Sequence, residues 1–490
     1  MFRVESPSSF ADGVKRDGRR KRRTPADEST SRRPSSDSAM TTGNDLSGIS
    51  SNSAARRSLT RSPLDEYVVN FIGWYLSRST QLSECWDDHA MVLGFSTVSC
   101  AQRHPDIKGL LVPLQDMIRD ATPDSAVILT CQAIGNAFLT SKVSSVEAWS
   151  KRRAAYGRAL TATNAALQDP ILQVEDQTLA AVWLLGIYEL IASPAGGSPP
   201  IGYAPQNHGS EPWMVHTQGL ATLLRLRGTS QFTSPTARAL FWLVYNTVQI
   251  RCFIAGIASP PESTTWFQVL EQDLRVQESA TFRICVYGHR TSTLCAKVRQ
   301  FLLHGSSRSS NTAAELLAEA NQLELEMRQS WEDDGEEFDA EGPRDGYSLR
   351  QLACRTFFYS FRLKFQLTLV ELLSKVRVET HESESALLQS QLQLRIANVQ
   401  NAADEILACV SVVFSTEVAP RTTGRLRPRL WTDGVRMLWP LRLIALWRGP
   451  REDQTVVARK LLYQMREELG IRHDSVPVLP SASLLVPVTS

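Results

Sequence analysis

Hydrophobic residues recur along most of this chain at spacings of three and four, which is the period of an amphipathic helix. The periodic part begins near Pro63, where Tyr67, Phe71 and Trp74 follow one another at spacings of four and three. Alternation of apolar and polar residues, which would predict strands, is scarce beyond that point. The pattern therefore predicts an all-α body.

A pair of helices is predicted, the first over residues 152–168 and the second beginning after Asp176. The first carries a stripe of larger residues flanked by alanines: Tyr156, Leu160, Thr163 and Leu167, with Ala155, Ala159, Ala162 and Ala166. Asp169-Pro170 ends it, because proline has no amide hydrogen to donate. Asp176 is the expected cap of the second helix. Its core-facing residues are Leu179, Val182, Trp183, Gly186 and Leu190. Small residues at the crossing predict a helical hairpin, and hairpins of this kind predict an α-solenoid-like array of paired helices.

A further amphipathic helix is predicted from about Trp213 to Arg227. Gly228 follows it, and glycine suits the left-handed conformation that ends many helices. Gly219 permits close approach of a neighbouring helix. The buried face of this helix is supplied by three leucines: Leu220, Leu223 and Leu224.

In the C-terminal half the pattern is less regular. After Pro260-Pro261 no clear element is predicted until Ala313–Trp331, one face of which carries Leu316, Ala320, Leu323, Met327 and Trp331. Two long helices follow, with apolar stripes at Phe358, Phe361, Phe365, Leu372 and Val376, and at Leu392, Val399, Ala403, Ile406, Val410 and Val413. Trp431–Trp447 and Thr455–Leu469 are the closing helical segments, the latter ended by Gly470.

Charge divides the chain unevenly. Residues 1–62 carry 13 Lys and Arg against 7 Asp and Glu, whereas the other 428 residues carry 40 against 44. The first segment is rich in Ser, Arg and Pro and too poor in apolar residues to offset chain entropy. We therefore expect a disordered basic arm over 1–62, a folded body over 63–475 and a flexible tail over 476–490.

The remaining composition indicates a reducing compartment and no membrane span. The eight cysteines include no C-x-x-C pair and do not form a disulfide framework. Several lie inside apolar helical patterns, where a reduced cysteine packs as a small hydrophobic residue. No apolar run of the signal-peptide type begins the sequence. The most apolar stretch, Leu179–Ala192, is too short to cross a bilayer.

A dense basic cluster lies in the arm. Its members are Lys15, Arg16, Arg19, Arg20, Lys21, Arg22 and Arg23. Seven cations within nine residues suit the acidic groove of a nuclear import receptor, or non-specific contact with DNA phosphates. A solvated charge run is the alternative interpretation. No aromatic residues are interleaved, so base stacking is not indicated.

Candidates for other chemistry are weak. Cys85 and His89, and Cys100 and His104, form two Cys/His pairs that could hold zinc, but neither segment has the turn residues of a zinc knuckle. Ordinary packed or surface residues are the preferred interpretation, and no metal or cofactor is expected. The acidic segment 331–345 has the composition of an activation segment, although an exposed loop between helices explains it more simply.

No catalytic motif is present in the sequence. It contains no glycine-rich phosphate loop, nucleophile elbow or H-E-x-x-H sequence. His216 lies on a helix beside Trp213, and such a histidine is more typical of packing than of base catalysis. The sequence therefore does not indicate an enzyme.

Two segments resemble the C-terminal regulatory domain of fungal zinc-cluster transcription factors. In the first, the matching residues are Tyr156, Ala159, Leu160, Leu179, Leu184, Leu185, Tyr188 and Glu189. In the second, the pattern H-x-x-G-x-x-x-L-x-x-x-RG is matched by His216, Gly219, Leu223, Arg227 and Gly228, followed by Phe232, Arg238 and Phe241. Trp439-Pro440-Leu441 and Leu469-Gly470-Ile471 add to the resemblance, which covers roughly residues 63–475. It implies an architectural role for the signature residues.

The resemblance implies a nuclear regulator of transcription that controls a metabolic gene set, including secondary-metabolite genes. It also implies regulation through effector binding, homodimerisation or contacts with the transcription machinery. Family members usually carry six cysteines that bind two zinc ions and read DNA. Here the first cysteine is Cys85, so we expect this module, and its zinc, to be absent from the chain. DNA binding by the chain stays open, since nothing identified in it reads base edges. The alternative function is a helical co-regulator that acts through a DNA-binding partner; an enzyme is the least favoured interpretation.

Overall fold

The computed structural model describes residues 112–142, 145–192, 212–304, 310–332, 349–379, 382–414, 431–469 and 471. All of them lie in the second of the two units into which the chain divides, Leu64–Ser490. Within these ranges every regular element is helical, which confirms the all-α prediction. The thirteen α-helices described are α1 (Val112–Asp120), α2 (Ala126–Lys142), α3 (Val146–Gln168), α4 (Asp176–Ala192), α5 (Pro212–Arg227), α6 (Pro235–Ala255), α7 (Ser263–Gln272), α8 (Ser279–His304), α9 (Ser310–Glu332), α10 (Leu349–Glu379), α11 (Glu382–Phe414), α12 (Trp431–Leu446) and α13 (Glu452–Leu469).

The N-terminal helices form a succession of packed pairs. Helix α2 packs on both α3 and α4, α4 packs on α5, and α5 packs on α6. The buried side of α3 is lined by mostly small residues: Ala148, Arg152, Ala155, Ala159 and Thr163. Small side chains let two helix backbones approach closely, and α3 packs more extensively on α2 than on α4, the helix predicted to be its partner. The larger Tyr156 and Leu160 lie half-buried beside these small residues.

The prediction that Asp176 caps α4 was wrong. Asp176 is the first residue of the helix, and Glu175 precedes it in the cap position. The amide of Leu179 donates to the carbonyl of Glu175 at 3.2 Å. The carboxylate of Asp176 accepts instead from Arg227, which lies at the end of α5. The side chain that the local pattern assigned to capping therefore forms a tertiary ion pair instead.

Helices α7 and α8 were missed by the sequence analysis, which found no clear element between Pro261 and Ala313. Helix α8 has polar residues on its buried side, including Thr291 and Ser292, which are 0% and 1% exposed. Thr291 bonds to the carbonyl of Tyr287 at 2.7 Å, so its hydroxyl is satisfied within the helix. Such residues interrupt the apolar period without interrupting the helix.

Helices α8 to α11 pack against one another, and two pairs among them are antiparallel. The hydroxyl of Tyr287 donates to Glu324 at 2.8 Å, and Lys297 bonds to Glu319 at 2.7 Å, so α8 and α9 run antiparallel. Helices α10 and α11 also run antiparallel, since Arg355 bonds to Glu405 and Arg377 to Gln389, and they share the most extensive packing among the described helices. Their predicted apolar stripes lie in this core, with Val376 half-buried and the other members buried.

Aromatic side chains join the two halves of the body. Phe253 of α6 stacks on Phe361 of α10 with ring centroids 5.0 Å apart. Trp439 of α12 lies 5.9 Å from the first ring and 5.8 Å from the second. All three side chains are buried. The contact places α6, α10 and α12 around one core.

Five of the described cysteines are buried: Cys131, Cys252, Cys285, Cys295 and Cys409. Burial raises the pKa of the Cys131 thiol to about 12, which keeps it protonated. These cysteines pack as small hydrophobic residues, as the sequence indicated. No helix in the described ranges combines the length and apolar character that a bilayer crossing requires.

Candidate functional site

The signature residues lie on α5 and in the turn that follows it. Trp213, Gly219 and Leu223 are buried, as are Leu220 and Leu224. The helix ends at Arg227, and Gly228 has a φ of 58°, in the left-handed region. The side-chain amide of Gln231 donates to the carbonyls of Leu224 and Gly228, at 3.2 and 2.5 Å. The turn is therefore stabilised by hydrogen bonds from the side chain of Gln231 to nearby backbone carbonyls.

Arg227 connects this turn to the preceding hairpin. Its guanidinium, 6% exposed, pairs with the carboxylate of Asp176. The same side chain donates to the carbonyl of Val174 at 2.8 Å. Because Val174 lies in the 3₁₀ turn before α4, Arg227 bridges the end of one helix to the beginning of another.

His216 lies against α4, close to Gly186. A Cβ built on Gly186 would lie 3.6 Å from the Cβ of His216 and 3.9 Å from Cδ1 of Trp213. Both separations are ordinary van der Waals contacts, so α4 and α5 lie close together at this point. Burial lowers the pKa of His216 from its ordinary value near 6.5 to about 4. The imidazole is therefore neutral at physiological pH.

An aromatic and charged cluster joins α3 to α4. The rings of Tyr156 and Tyr188 stack with centroids 4.3 Å apart, and the hydroxyl of Tyr156 donates to Glu189. Arg152 donates to the hydroxyl of Tyr188 at 3.1 Å and lies 4.8 Å from the centroid of Trp149. Burial raises the pKa of Glu189, against the opposing effects of Tyr156 and Arg152. The resemblance pointed to three of these residues, and the structure adds Arg152 and Trp149.

Arg238 anchors α6 to the segment between α7 and α8. Its side chain is 1% exposed, and its Nε lies 2.9 and 2.7 Å from the two carboxylate oxygens of Glu278. A second nitrogen donates to the carbonyl of Asp273 at 2.6 Å. Sequence reasoning identified Arg238 as part of the family pattern and missed both partners. They lie 35 and 40 residues further along the chain, beyond any local signal.

A second polar cluster lies between helices α8 to α11. Glu324 accepts from Tyr287, and its other oxygen lies 3.3 Å from Nε of Arg362. Arg395 of α11 donates to Asn321 of α9, and its guanidinium is 3.4 Å from Oε1 of Gln366. The sequence analysis found none of these contacts, because they join side chains 29 to 74 positions apart in the sequence, beyond any periodic signal.

Several predicted site residues fall outside the described ranges. These are the basic cluster Lys15, Arg16, Arg19, Arg20, Lys21, Arg22 and Arg23, and the pairs Cys85 with His89 and Cys100 with His104. The acidic segment lies outside them from residue 333 onward. Among the residues that the structure does describe, no group of three or more His, Cys, Asp or Glu is placed to hold a metal ion.

Buried arginines tie neighbouring helices to one another. Arg227, Arg238 and Arg152 each bond to groups on a neighbouring element. Comparison with known families adds a functional context: a profile for the fungal-specific transcription factor domain matches residues 114–461. No curated protein and no solved structure matches the chain.

Proposed function

The chain belongs to the family of fungal-specific transcription factor domains, and from this membership we propose that it controls a metabolic gene set in the nucleus. The chain is a fungal transcriptional regulator, and the role of its domain family is not enzymatic. Secondary-metabolite genes are the target class that we propose.

The observation that carries the proposal is the family match across nearly all of the described helices. The signature turn supports it, since Arg227 and Gly228 contribute to architecture and hold no reacting group. We propose that the helical body acts by binding other macromolecules at its surface. Its proposed partners are the transcription machinery, a second copy of the chain and, for the basic cluster, a nuclear import receptor.

Deletion of the gene followed by transcript profiling tests the proposal. We expect coordinated change in one metabolic gene set, restored by the full chain. Fusing the full chain to an unrelated DNA-binding domain at a reporter gives the sign of the regulation. A deletion strain whose transcripts match the parent under conditions in which the protein is produced would contradict the proposal.

Nuclear entry is tested separately. Neutralising the seven cations between Lys15 and Arg23 in a fluorescent fusion should move the protein to the cytoplasm, because an import receptor binds clustered positive charge. A matched control neutralises Arg56, Arg57 and Arg61, which lie in the same arm. Unchanged nuclear accumulation of the first variant would exclude the cluster as the import signal.

A co-regulator that acts through a DNA-binding partner is the second candidate function. It is favoured by one sequence observation, namely that the printed residues contain no C-x2-C pair of the kind that a zinc cluster uses. Chromatin association should then depend on a partner that co-purifies with the chain. Sequence-specific binding of the purified chain to a target promoter would instead favour the autonomous regulator.

A further inference from the structure

Arg395 of α11 is a buried cation whose hydrogen-bond partners are neutral. Its guanidinium donates to the side-chain oxygen of Asn321 and lies 3.4 Å from Oε1 of Gln366, which is long for a hydrogen bond. The residue is 7% exposed. Within the described part of the chain, no carboxylate comes within ion-pair distance of this guanidinium. Buried charges in proteins are usually paired, so the positive charge of Arg395 is poorly compensated.

Three other buried arginines of the body are each paired with a carboxylate. The pairs are Arg227 with Asp176, Arg238 with Glu278, and Arg355 with Glu405. The fold thus supplies an acid where a buried guanidinium serves only to join helices. Arg395 differs from these arginines in having amide oxygens in the place of that acid.

The nearby charges do not replace the missing partner. Glu324 attracts Arg395, but its oxygens are already bonded to Tyr287 and close to Arg362. Burial is the largest influence on the pKa of Arg395 and lowers it; Glu324 and Tyr287 oppose this effect, and Arg362 adds to it. Because an arginine pKa is ordinarily above 12, the side chain stays charged at neutral pH.

Gln366 of α10 provides a second unsatisfied group at the same place. It is 0% exposed, and its amide oxygen is the one that Arg395 contacts. The Nε2 of the same amide is buried and has no hydrogen-bond partner among the described residues. A buried donor left without an acceptor destabilises the fold. One acceptor with a negative charge would satisfy both this donor and the guanidinium.

The guanidinium can be reached from solvent on the side of α9. Asn321, its partner there, is exposed. The side chain of Asn321 can therefore turn into water and leave the guanidinium to a ligand without becoming a buried unpaired group. Leu325 lies one turn further along the same face of α9 and is 46% exposed. An apolar surface thus adjoins the polar groups.

We propose that Arg395 and Gln366 form a binding site for a small organic monocarboxylate with a short apolar tail. One carboxylate oxygen accepts from the guanidinium in the place of Asn321, and the other accepts from Nε2 of Gln366. The single negative charge matches the single cation that lacks an acid. The tail packs on Leu325. Inorganic phosphate fits less well, since it carries more charge and has no apolar part.

The first test compares hexanoate with hexanamide, which has nearly the same shape and no charge. Both are titrated into the purified full chain at pH 7 and followed by ligand-observed NMR. We expect hexanoate to bind in the millimolar range or tighter, and about tenfold or more tighter than hexanamide, because charge-assisted hydrogen bonds are the stronger ones. Equal binding of the two compounds would overturn the proposal.

The second test replaces the cation. Arg395→Gln should reduce hexanoate binding to the level of hexanamide, and it should leave the protein folded because no carboxylate loses a partner. The matched control is Arg290→Gln on α8: this arginine pairs with Glu326 of α9, and its side chain is 46% exposed. It should bind hexanoate as the wild type does. Undiminished binding by a folded Arg395→Gln variant would overturn the proposal.

The third test supplies the missing acid within the chain and does not depend on the stability of Arg395→Gln. Asn321→Asp places a carboxylate against the guanidinium at an exposed position. We expect the Tm to rise and hexanoate binding to fall by about tenfold, since the new carboxylate competes with the ligand. Asn164→Asp makes the same change at an exposed position of α3 and should alter neither quantity. An Asn321→Asp variant that binds hexanoate as tightly as the wild type would refute the site.

The inference goes beyond the proposed function and does not rest on it. Binding is measured on the purified chain, so a failure of the transcription experiments leaves it unaffected. Conversely, equal binding of hexanoate and hexanamide removes the carboxylate site without bearing on gene regulation.

Discussion

The guanidinium of Arg227, in the last turn of α5, is paired with the carboxylate of Asp176, the first residue of α4. The two residues are separated by 51 positions in the sequence. The pair joins the signature turn to the helical hairpin before it. Its Arg side is almost fully buried, so the carboxylate compensates a charge that water does not reach.

Loss of this pair should destabilise the body. Arg227→Gln leaves Asp176 without its partner and the carbonyl of Val174 without a donor. Because breaking a buried pair costs about 3–5 kcal/mol, and Asp176 is partly exposed, we expect a decrease of about 2–4 kcal/mol in the free energy of unfolding. Denaturant unfolding of the full chain measures it.

The matched control is Arg225→Gln on the same helix. Arg225 pairs with Glu262, but its side chain is 48% exposed and that of Glu262 is 34% exposed. An exposed pair contributes about 0–1 kcal/mol, so this variant should unfold almost as the wild type does. If the two variants lose equal free energy of unfolding, burial does not increase the contribution of the Arg227 pair to stability.

The protein should unfold more readily at acidic pH, because protonation of His216 destabilises the folded state. Its folded pKa, about 4, lies below the unfolded value near 6.5. The unfolded chain therefore binds the proton first, so stability is complete above pH 6.5 and falls as the pH decreases towards 4. The lost contribution is up to about 3 kcal/mol.

The measurement is the pH dependence of unfolding for wild type and for His216→Gln, which cannot gain the charge. The free energy of unfolding of the wild type, minus that of the variant, should decrease or change sign below pH 6.5. His289→Gln is a useful comparison, because burial also lowers the pKa of His289. Parallel curves for wild type and His216→Gln between pH 7 and 4 would contradict the assignment.

Gly228 should not tolerate a side chain, for a reason confined to the backbone. A Cβ there meets no described atom within 4 Å, but φ is +58°. An L-residue in the left-handed region costs about 1–2 kcal/mol, so Gly228→Ala should destabilise by about 1 kcal/mol. Gly157→Ala is the control: this glycine lies inside α3, is equally unobstructed, and should stabilise by about 0.5–1 kcal/mol. Thermal unfolding of both variants distinguishes them, and a shift of the same sign would refute the backbone argument.

Gly288 is constrained by packing instead. A Cβ at this position would lie 2.8 Å from Cε2 of Phe361 and 2.9 Å from Nε2 of Gln249, where α6, α8 and α10 meet. Gly288→Ala should therefore destabilise by about 1–3 kcal/mol through overpacking. At Gly186 the nearest atom is 3.6 Å away, so Gly186→Ala should be close to neutral. If Gly288→Ala unfolds at the same denaturant concentration as the wild type, the junction is looser than the distances indicate.

Much of the helical framework could be predicted from local pattern. Helix α5 was expected from about Trp213 to Arg227 and is observed from Pro212 to Arg227, because an apolar face and a terminal glycine are both local signals. The apolar stripes of α10 and α11 were read correctly for the same reason. Helix α8 was not, since Thr291 and Ser292 satisfy their hydroxyls within the helix and so conceal its buried face.

The sequence by itself determined the helical class of the body, the family resemblance and the positions of its clearest helices, because these depend on residues within a few turns of one another. Tertiary structure alone decided which charges meet. Asp176 pairs with Arg227 instead of capping a helix, and Glu278 pairs with Arg238. The ammonium of Lys364 lies against the indole ring of Trp447. Partners separated by tens of residues leave no periodic signal, since their pairing depends on how whole helices pack.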